Sequence, residues 1–553
     1  MRESESGPRP LSFAGSVVAV LTGCASLTPS LLPRDWLLQG ILSGLLLGIG
    51  YGAGAAIGAL VRRGRPSLPR PGARTWWVTA ASAVVVLSLS LWLAGGWQRE
   101  LRQLTGMTDV DWRPVPVVLV AGGLGGLLLL VARLLRLLAR ELAGTLRRPA
   151  RIVARTGLLL PPRGRFAVRT APVLAGLLAT LLAADGSGVA AVGAVELREH
   201  RAAWASSAPV ELTRPNSWLR SGGPGSQVAW ETLAGPGQEF VTGAVTTADL
   251  AGFAAFRGVD GPVRKPIRIY VGRDSAPDPA ARAQLVVDEL VRTGASDRQV
   301  VAVVVTTGTG WVNPVAAETV EYLYGGDTAV VAVQYSELPS WLSFLTERRA
   351  VAESAAATIT AVRRWLDQQP AASRPQLVVY GESLGAYGTE SAFGELTNLL
   401  DTVDAALLAG GPHTSPIRAQ VVAEREPASP VWRPDLAADV PVRFLPDGAA
   451  GATGARVGYL QNLTDPVVWW RPSLLYQRPE WLSQPRHPDR PAAAHWLPVV
   501  TFWQVTVDLL RSTEPPDGYG HSYRASVVDG WVTVLDPPGW GDADTERLRA
   551  QVG

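Results

Sequence analysis

Residues 377–388 read "LVVYGESLGAYG", and the fold turns on how this stretch is taken. At its centre is Gly381-Glu382-Ser383-Leu384-Gly385, a G-x-S-x-G pattern. In a chain with 57 glycines among 553 residues that pattern alone is cheap, so its surroundings must decide. "QLVVY" (376–380) is an apolar run of strand length, and the residues from Leu384 onward suit a helix. Ser383 therefore falls at a sharp strand-to-helix turn. Such a turn needs close backbone approach at the flanking glycines, and it leaves the hydroxyl exposed beside the first amides of a helix.

Working outward, the same alternation continues on both sides. "PIRIYVG" (266–272), "QVVAVVVTTG" (299–308), "TAVVAVQY" (328–335) and "VDAALLAG" (403–410) are further apolar runs, together rich in Val, Ile and Tyr. Helical patterns separate them at 279–294, 313–324, 347–369 and 385–400. Continuous apolar strands alternating with helices imply a mostly parallel sheet covered on both faces.

A serine nucleophile needs a base, and the chain has 5 histidines. His521 lies in "DGYGHSY" (517–523), a glycine-rich turn between helical patterns at 498–511 and about 523–535. Asp465, in "GYLQNLTDPVVWW" (458–470), follows a strand at 456–462 and is the expected orienting acid. Ser383, Asp465, His521 is the chain order of the α/β-hydrolases. His413 in "GGPHTSP" competes as base or lines the pocket, and Asp435, Asp439 and Asp447 compete as the acid. The oxyanion donors are expected to be the Leu384 amide and one from "TTGTGW" (306–311), where Gly308, Thr309 and Gly310 are candidates. A phosphate loop is a poor reading of that turn, because no Gly-Lys-Ser/Thr follows it. The chemistry calls for no metal and no cofactor. Between Asp465 and His521 a Trp- and Pro-rich insertion at about 466–500 reads as a cap over the site, a contact with a membrane surface, or a packing subdomain.

The first 200 residues are of a different kind. Apolar stretches at about 11–32, 37–61, 76–97, 115–138 and 170–196 approach the roughly 20 residues that cross a bilayer. The loop at 62–75 carries Arg62, Arg63, Arg65, Arg70 and Arg74 without an acid, and 139–169 is similarly arginine-rich. Residues 98–114 balance Arg99, Arg102 and Arg113 against Glu100, Asp109 and Asp111. The positive-inside rule puts the two arginine-rich loops in the cytoplasm. Five spans then carry everything after about 197 to the extracytoplasmic side, with Asp185 near the far interface of the fifth. Gly40, Gly44, Gly48 and Gly52 form a face for close helix packing, either within one chain or in a homo-oligomer. "LTGC" (21–24) resembles a lipoprotein cleavage box, but a plain buried cysteine in the first span is the better reading, because the next residues continue directly into further membrane helices. A single cysteine excludes an intramolecular disulfide and a cysteine zinc cluster. A net charge of +3, with arginines set between apolar runs, argues against nucleic acid as a partner.

Together, "SLTPSLLPR" (26–34), "TTGTGWVNP", "VQYSELPSW", "YGESLGAYG", "LQNLTDPVVWW" and "GYGHSY" resemble a family of bacterial membrane-anchored α/β-hydrolases, over essentially the whole chain. The resemblance implies an N-terminal multi-span membrane domain and a serine-hydrolase domain after about residue 260. The apolar runs and strand pattern divide the chain into an N-terminal all-α transmembrane bundle (1–196), a connecting segment (197–264) and an α/β-hydrolase domain (265–553). The resemblance matches Ser383, Asp465 and His521 to the triad positions and supplies no substrate. The expected activity is serine hydrolysis of an ester-type, lipid-like substrate at the cell membrane. An acyltransferase with the same triad is one alternative. The other is a non-catalytic membrane transport or assembly protein whose hydrolase-like domain only binds.

Overall fold

The computed structural model describes residues 11–108, 111–153, 212–259, 261–338, 343, 346–445 and 454–553. They form two compact units. The first combines the N-terminal helices with Pro472–Arg478 and Arg490–Leu510, and the second combines 212–471, Pro479–Asp489 and Arg511–Gly553.

In the first unit, α1 (Phe13–Ser26), α2 (Trp36–Gly64), α3 (Ala73–Leu104) and α4 (Pro114–Val153) follow one another. Among the described residues, three helices are long and apolar enough to cross a bilayer: Trp36–Gly64, Ala73–Leu104 and the Pro114–Leu138 part of α4. Their outward faces carry exposed apolar side chains, among them Trp77, Val85 and Trp92 on α3 and Leu119, Leu127 and Leu130 on α4, as lipid-facing surfaces do. The stretch at 11–32, expected to be a span, departs from that reading. Its helix has 14 residues, about 21 Å at 1.5 Å each, short of a ~30 Å core. Pro29 and Pro33 follow, and no helix runs through them. Cys24 lies in the last turn of α1. The stretch 170–196, with Asp185, lies outside the described residues.

The glycine face of α2 is taken up inside the chain. A Cβ at Gly40, Gly44 or Gly48 would come within 2.7–2.9 Å of Val120, Leu124 or Leu128 of α4. Gly54 and Gly58 make the same close approach to Ala14 of α1. Small residues let the helices gain van der Waals contact, the main attraction available between apolar helices in lipid.

"SLTPSLLPR" forms the link between α1 and α2, and it encloses an ion pair. Arg34 Nε donates to Asp508 Oδ1 at 2.9 Å, with both side chains excluded from solvent. Asp508 Oδ2 also accepts from the Leu31 amide at 3.1 Å and from the Ser30 hydroxyl. Arg34 further donates to Gln39 Oε1 at 2.9 Å. Beside them Leu38, Leu42, Leu45 and Leu46 pack with Val500, Trp503 and Val507. The Trp/Pro-rich insertion is therefore divided. Its later part is integral to the helical unit, while Pro479–Asp489 belongs to the other.

Among the described residues, the second unit is built on a seven-stranded parallel sheet in the order β1-β3-β2-β4-β5-β7-β6. The strands are β1 (Ile267–Val271), β2 (Val300–Val305), β3 (Thr328–Val333), β4 (Gln376–Glu382), β5 (Ala405–Ala409), β6 (Val442–Leu445) and β7 (Val457–Leu460). The middle strands are buried on both faces, as their unbroken Val/Ala/Leu runs require. Helices α7 (Pro279–Arg292), α9 (Arg348–Asp367) and α10 (Leu384–Phe393) pack on one another, as do α8 (Pro314–Leu323), α15 (Arg524–Leu535) and α16 (Asp542–Val552). Of the intervening helices, α11 (Leu396–Thr402), α12 (Pro416–Ala423) and α13 (Pro466–Trp469) belong to this unit, and α14 (Val500–Asp508) belongs to the first.

Residues 212–257, read from sequence as a connecting segment, are part of the sheet unit and carry α5 (Ala234–Thr242) and α6 (Thr247–Arg257). Arg220 pairs with Arg268 as a parallel bridge at the edge of β1. The Arg268 guanidinium donates to both Glu321 oxygens, at 2.7 and 3.0 Å, in a buried fork.

Candidate active site

Ser383 is the residue between β4 and α10, with φ 57° and ψ −119°. A non-glycine residue in that region costs about 1–3 kcal/mol and persists only where its surroundings force it. Here the forcing is steric. A Cβ at Gly385 would stand 2.1 Å from the Val305 carbonyl oxygen of β2, and one at Gly381 would stand 2.6 Å from the Gly385 backbone. Both flanking glycines therefore allow the helix to start hard against the sheet, and the serine takes the strain. Its N–H donates to the Ala409 carbonyl at 2.9 Å. The side chain is 9% exposed.

His521 and Asp465 meet. His521 Nδ1 lies 2.7 Å from Asp465 Oδ2, with the carboxylate fully buried. Oδ1 accepts from the Val467 amide at 2.8 Å, so Asp465 also caps the short helix α13. The imidazole rests on Gly410, where a Cβ would fall 2.5 Å from its Cε1. Gly410 directly follows Ala409, the residue that binds the Ser383 amide, so base and serine share a strand end. His521 Nε2 is buried and has no hydrogen-bond partner among the described residues. Burial pushes the imidazole toward its neutral form, but the Asp465 charge and hydrogen bond outweigh it, with a smaller push from Glu382. The pKa is raised above its ordinary 6.5.

The base and acid loops are held together by groups that sequence reasoning missed. Tyr523 O–H donates to Asp465 Oδ2 at 2.6 Å and accepts from the Asn462 amide at 3.2 Å. Asn462 Nδ2 reaches the Gly520 carbonyl at 2.9 Å, and the Gly520 amide reaches Thr464 Oγ1 at 2.8 Å. Glu382, beside the serine, accepts from Tyr380 at 2.6 Å and Asn313 at 2.8 Å. The available signal was position: Asn462 and Thr464 share the loop of Asp465, and Tyr523 that of His521.

The other candidates separate cleanly. His413 Nε2 lies 3.3 Å from Arg471 Nη1. Burial and the charges of Arg471 and Arg418 push its pKa down to about 4. Asp435 and Asp439 are exposed, and Asp447 lies outside the described residues. His495 is exposed, and His487 lies against Trp432. Among the oxyanion candidates, the Gly310 amide donates to the Thr307 carbonyl at 3.0 Å within its own turn. That commits it, leaving the Gly308 and Thr309 amides beside that of Leu384.

A family model described as "Alpha/beta-hydrolase family" matches residues 267–548. A second, "Alpha/beta-hydrolase family N-terminus", matches residues 27–244. No curated protein matches the chain, and no solved structure does.

Proposed function

The chain belongs to the alpha/beta-hydrolase family, and from that premise we propose a membrane-anchored serine hydrolase acting on ester-type acyl substrates. The observation that carries the reading is the strained Ser383 at the end of β4, with the His521–Asp465 pair at 2.7 Å, His521 resting on Gly410 just past β5 and Asp465 on the loop after β7. In this reading Ser383 Oγ attacks the acyl carbon while its proton passes to His521 Nε2, the ring nitrogen with no other partner. The oxyanion is met by the Leu384 amide at the start of α10, with the Gly308 or Thr309 amide as second donor. The tetrahedral adduct collapses, the C–O bond to the alcohol breaks, and the imidazolium returns its proton to that oxygen. Water then enters by the same route, and the acyl group leaves as the acid. Asp465 and Tyr523 act on the imidazole and its counter-charge throughout.

The membrane anchor is supported by the three helices, among the described residues, that are long and apolar enough to cross a bilayer. The arginine-rich segments at 62–75 and 139–169 belong on the cytoplasmic side, and a further span over the apolar stretch 170–196 would then carry the sheet unit to the extracytoplasmic side, beside envelope lipids. A reporter that is active only after export, fused after residue 550, should be active; silence there with a bright cytoplasmic reporter reverses the sidedness alone. Hydrolysis of short-chain 4-nitrophenyl esters tests the enzyme. Turnover should be present in the wild type and absent in Ser383→Ala, and equal rates in both would remove the serine-hydrolase reading.

A further inference from the structure

Beside the candidate triad, two arginines lack a carboxylate within ion-pair distance among the described residues. Arg418 on α12 is 3% exposed, and its Nε and Nη2 both donate to one neutral acceptor, Gln461 Oε1, at 3.0 and 2.7 Å. Arg471, two residues beyond α13, is half buried and faces His413 Nε2 at 3.3 Å. An arginine can only donate, so Nε2 accepts and the His413 proton sits on Nδ1. The Arg418 guanidinium lies 5.5 Å above the Trp469 ring. That indole N–H is itself buried, with no acceptor among the described residues.

No neighbouring acid forms an ion pair with either guanidinium among the described residues; Glu390 and Asp465 act on Arg418, and Glu480 on Arg471, only from beyond ion-pair distance. Glu480 is bound to Arg425 at 2.5 Å. Glu390 takes the backbone amide of Arg418 at 2.7 Å rather than its guanidinium. Burial pushes the Glu390 pKa up to about 7, so near neutrality it supplies only part of a charge. Buried guanidinium groups are normally paired, and a planar cation left with free donors is suited to a carboxylate or phosphate oxyanion.

The position of the cluster gives it a use. His413 lies four residues past Ala409, on the loop that backs His521. Arg471 lies six residues past Asp465, on the loop that carries the acid. β5 and β7 are hydrogen-bonded neighbours, and their C-terminal ends are where α/β sheets place ligands.

We propose that Arg471 and His413, with Arg418 behind them, form an oxyanion-binding subsite next to Ser383 that selects ester substrates carrying a carboxylate or phosphate group. This rests on the serine-hydrolase reading and narrows its substrate class. The test uses the purified full chain in detergent and two matched pairs. One pair is mono-4-nitrophenyl adipate against 4-nitrophenyl hexanoate; the other is lysophosphatidate against monoacylglycerol of equal chain length. In the wild type, kcat/KM should favour the anionic member of at least one pair by about tenfold or more, the value of one charge-assisted contact. The pair that responds identifies carboxylate or phosphate as the anion. The ratio should fall close to one in Arg471→Gln and be partly restored in Arg471→Lys. No anionic preference in the wild type, or an undiminished one in Arg471→Gln, overturns the proposal. Calorimetric binding of inorganic phosphate gives a readout that needs no turnover: heat in the wild type, lost in Arg471→Gln, is expected. If phosphate binds in this way but no ester is hydrolysed, the hydrolase reading fails and the anion site stands. If esters are hydrolysed without an anionic preference, the reverse holds.

Discussion

Replacing Asp465 by asparagine changes one atom of the candidate site and should disable it. In the wild type Oδ2 accepts from His521 Nδ1 at 2.7 Å and from Tyr523 at 2.6 Å, while Oδ1 accepts from the Val467 amide at 2.8 Å. The Val467 amide holds the asparagine oxygen on its own side, so the new NH₂ faces the imidazole. Opposite a donor, Nδ1 must accept, and the ring proton moves to Nε2. That is the nitrogen needed to take the proton of Ser383. Loss of the correct tautomer is worth about 10⁴ in kcat, or roughly 5.5 kcal/mol of barrier. A second signature follows from the pKa. The wild-type imidazole is raised above 6.5 because the Asp465 carboxylate outweighs burial. A raised base is protonated over more of the acid range, so wild-type activity should rise with pH through a midpoint above 6.5. With the Asp465 charge removed, burial is opposed only by the smaller push from Glu382, and the midpoint should move to lower pH. Hydrolysis of 4-nitrophenyl butyrate between pH 5 and 9 reads both effects. An Asp465→Asn enzyme within tenfold of wild type, or with an unmoved acid limb, would refute the assignment of acid and base.

Other outcomes follow from neighbouring contacts. Tyr523→Phe removes the 2.6 Å donation to Asp465 and leaves the Asn462 amide without its acceptor; turnover should fall about tenfold while the acid limb moves to higher pH, because a less satisfied carboxylate holds the imidazolium more strongly. An unchanged limb would contradict that coupling. Arg34→Leu leaves Asp508 buried and unpaired and should cost about 3–5 kcal/mol, whereas Arg34→Met with Asp508→Leu should recover most of it. Thermal unfolding in detergent checks both, and equal losses in the single and double variants would contradict the ion-pair account.

The parallel sheet and the serine turn were legible because each is written locally. β1 to β5 are short runs dominated by Val, Ile, Ala, Leu and Tyr and bounded by turns, and the Gly381-x-Ser383-x-Gly385 spacing records two steric contacts that only glycine permits. β6 was not visible, since four residues following Pro441 carry too little pattern to stand out. The length of α1 was misjudged because hydropathy continues through Leu27, Leu31 and Leu32. These residues are buried in the loop around Arg34 rather than extending the helix. The Arg34–Asp508 pair joins residues 474 positions apart, and no periodicity encodes such a partner. The same holds for Arg418 and Arg471, since no local pattern shows which buried guanidinium groups lack an ion-paired carboxylate.

The central claim is that Ser383 is an activated nucleophile, and covalent labelling tests it most directly. The purified full chain treated with a fluorophosphonate should gain one adduct, mapped by peptide mass to the segment containing Ser383. Ser383→Ala, folded to the same melting temperature, should gain none, and His521→Ala should label far more slowly. An unlabelled wild type, or an adduct that persists in Ser383→Ala, would contradict the account.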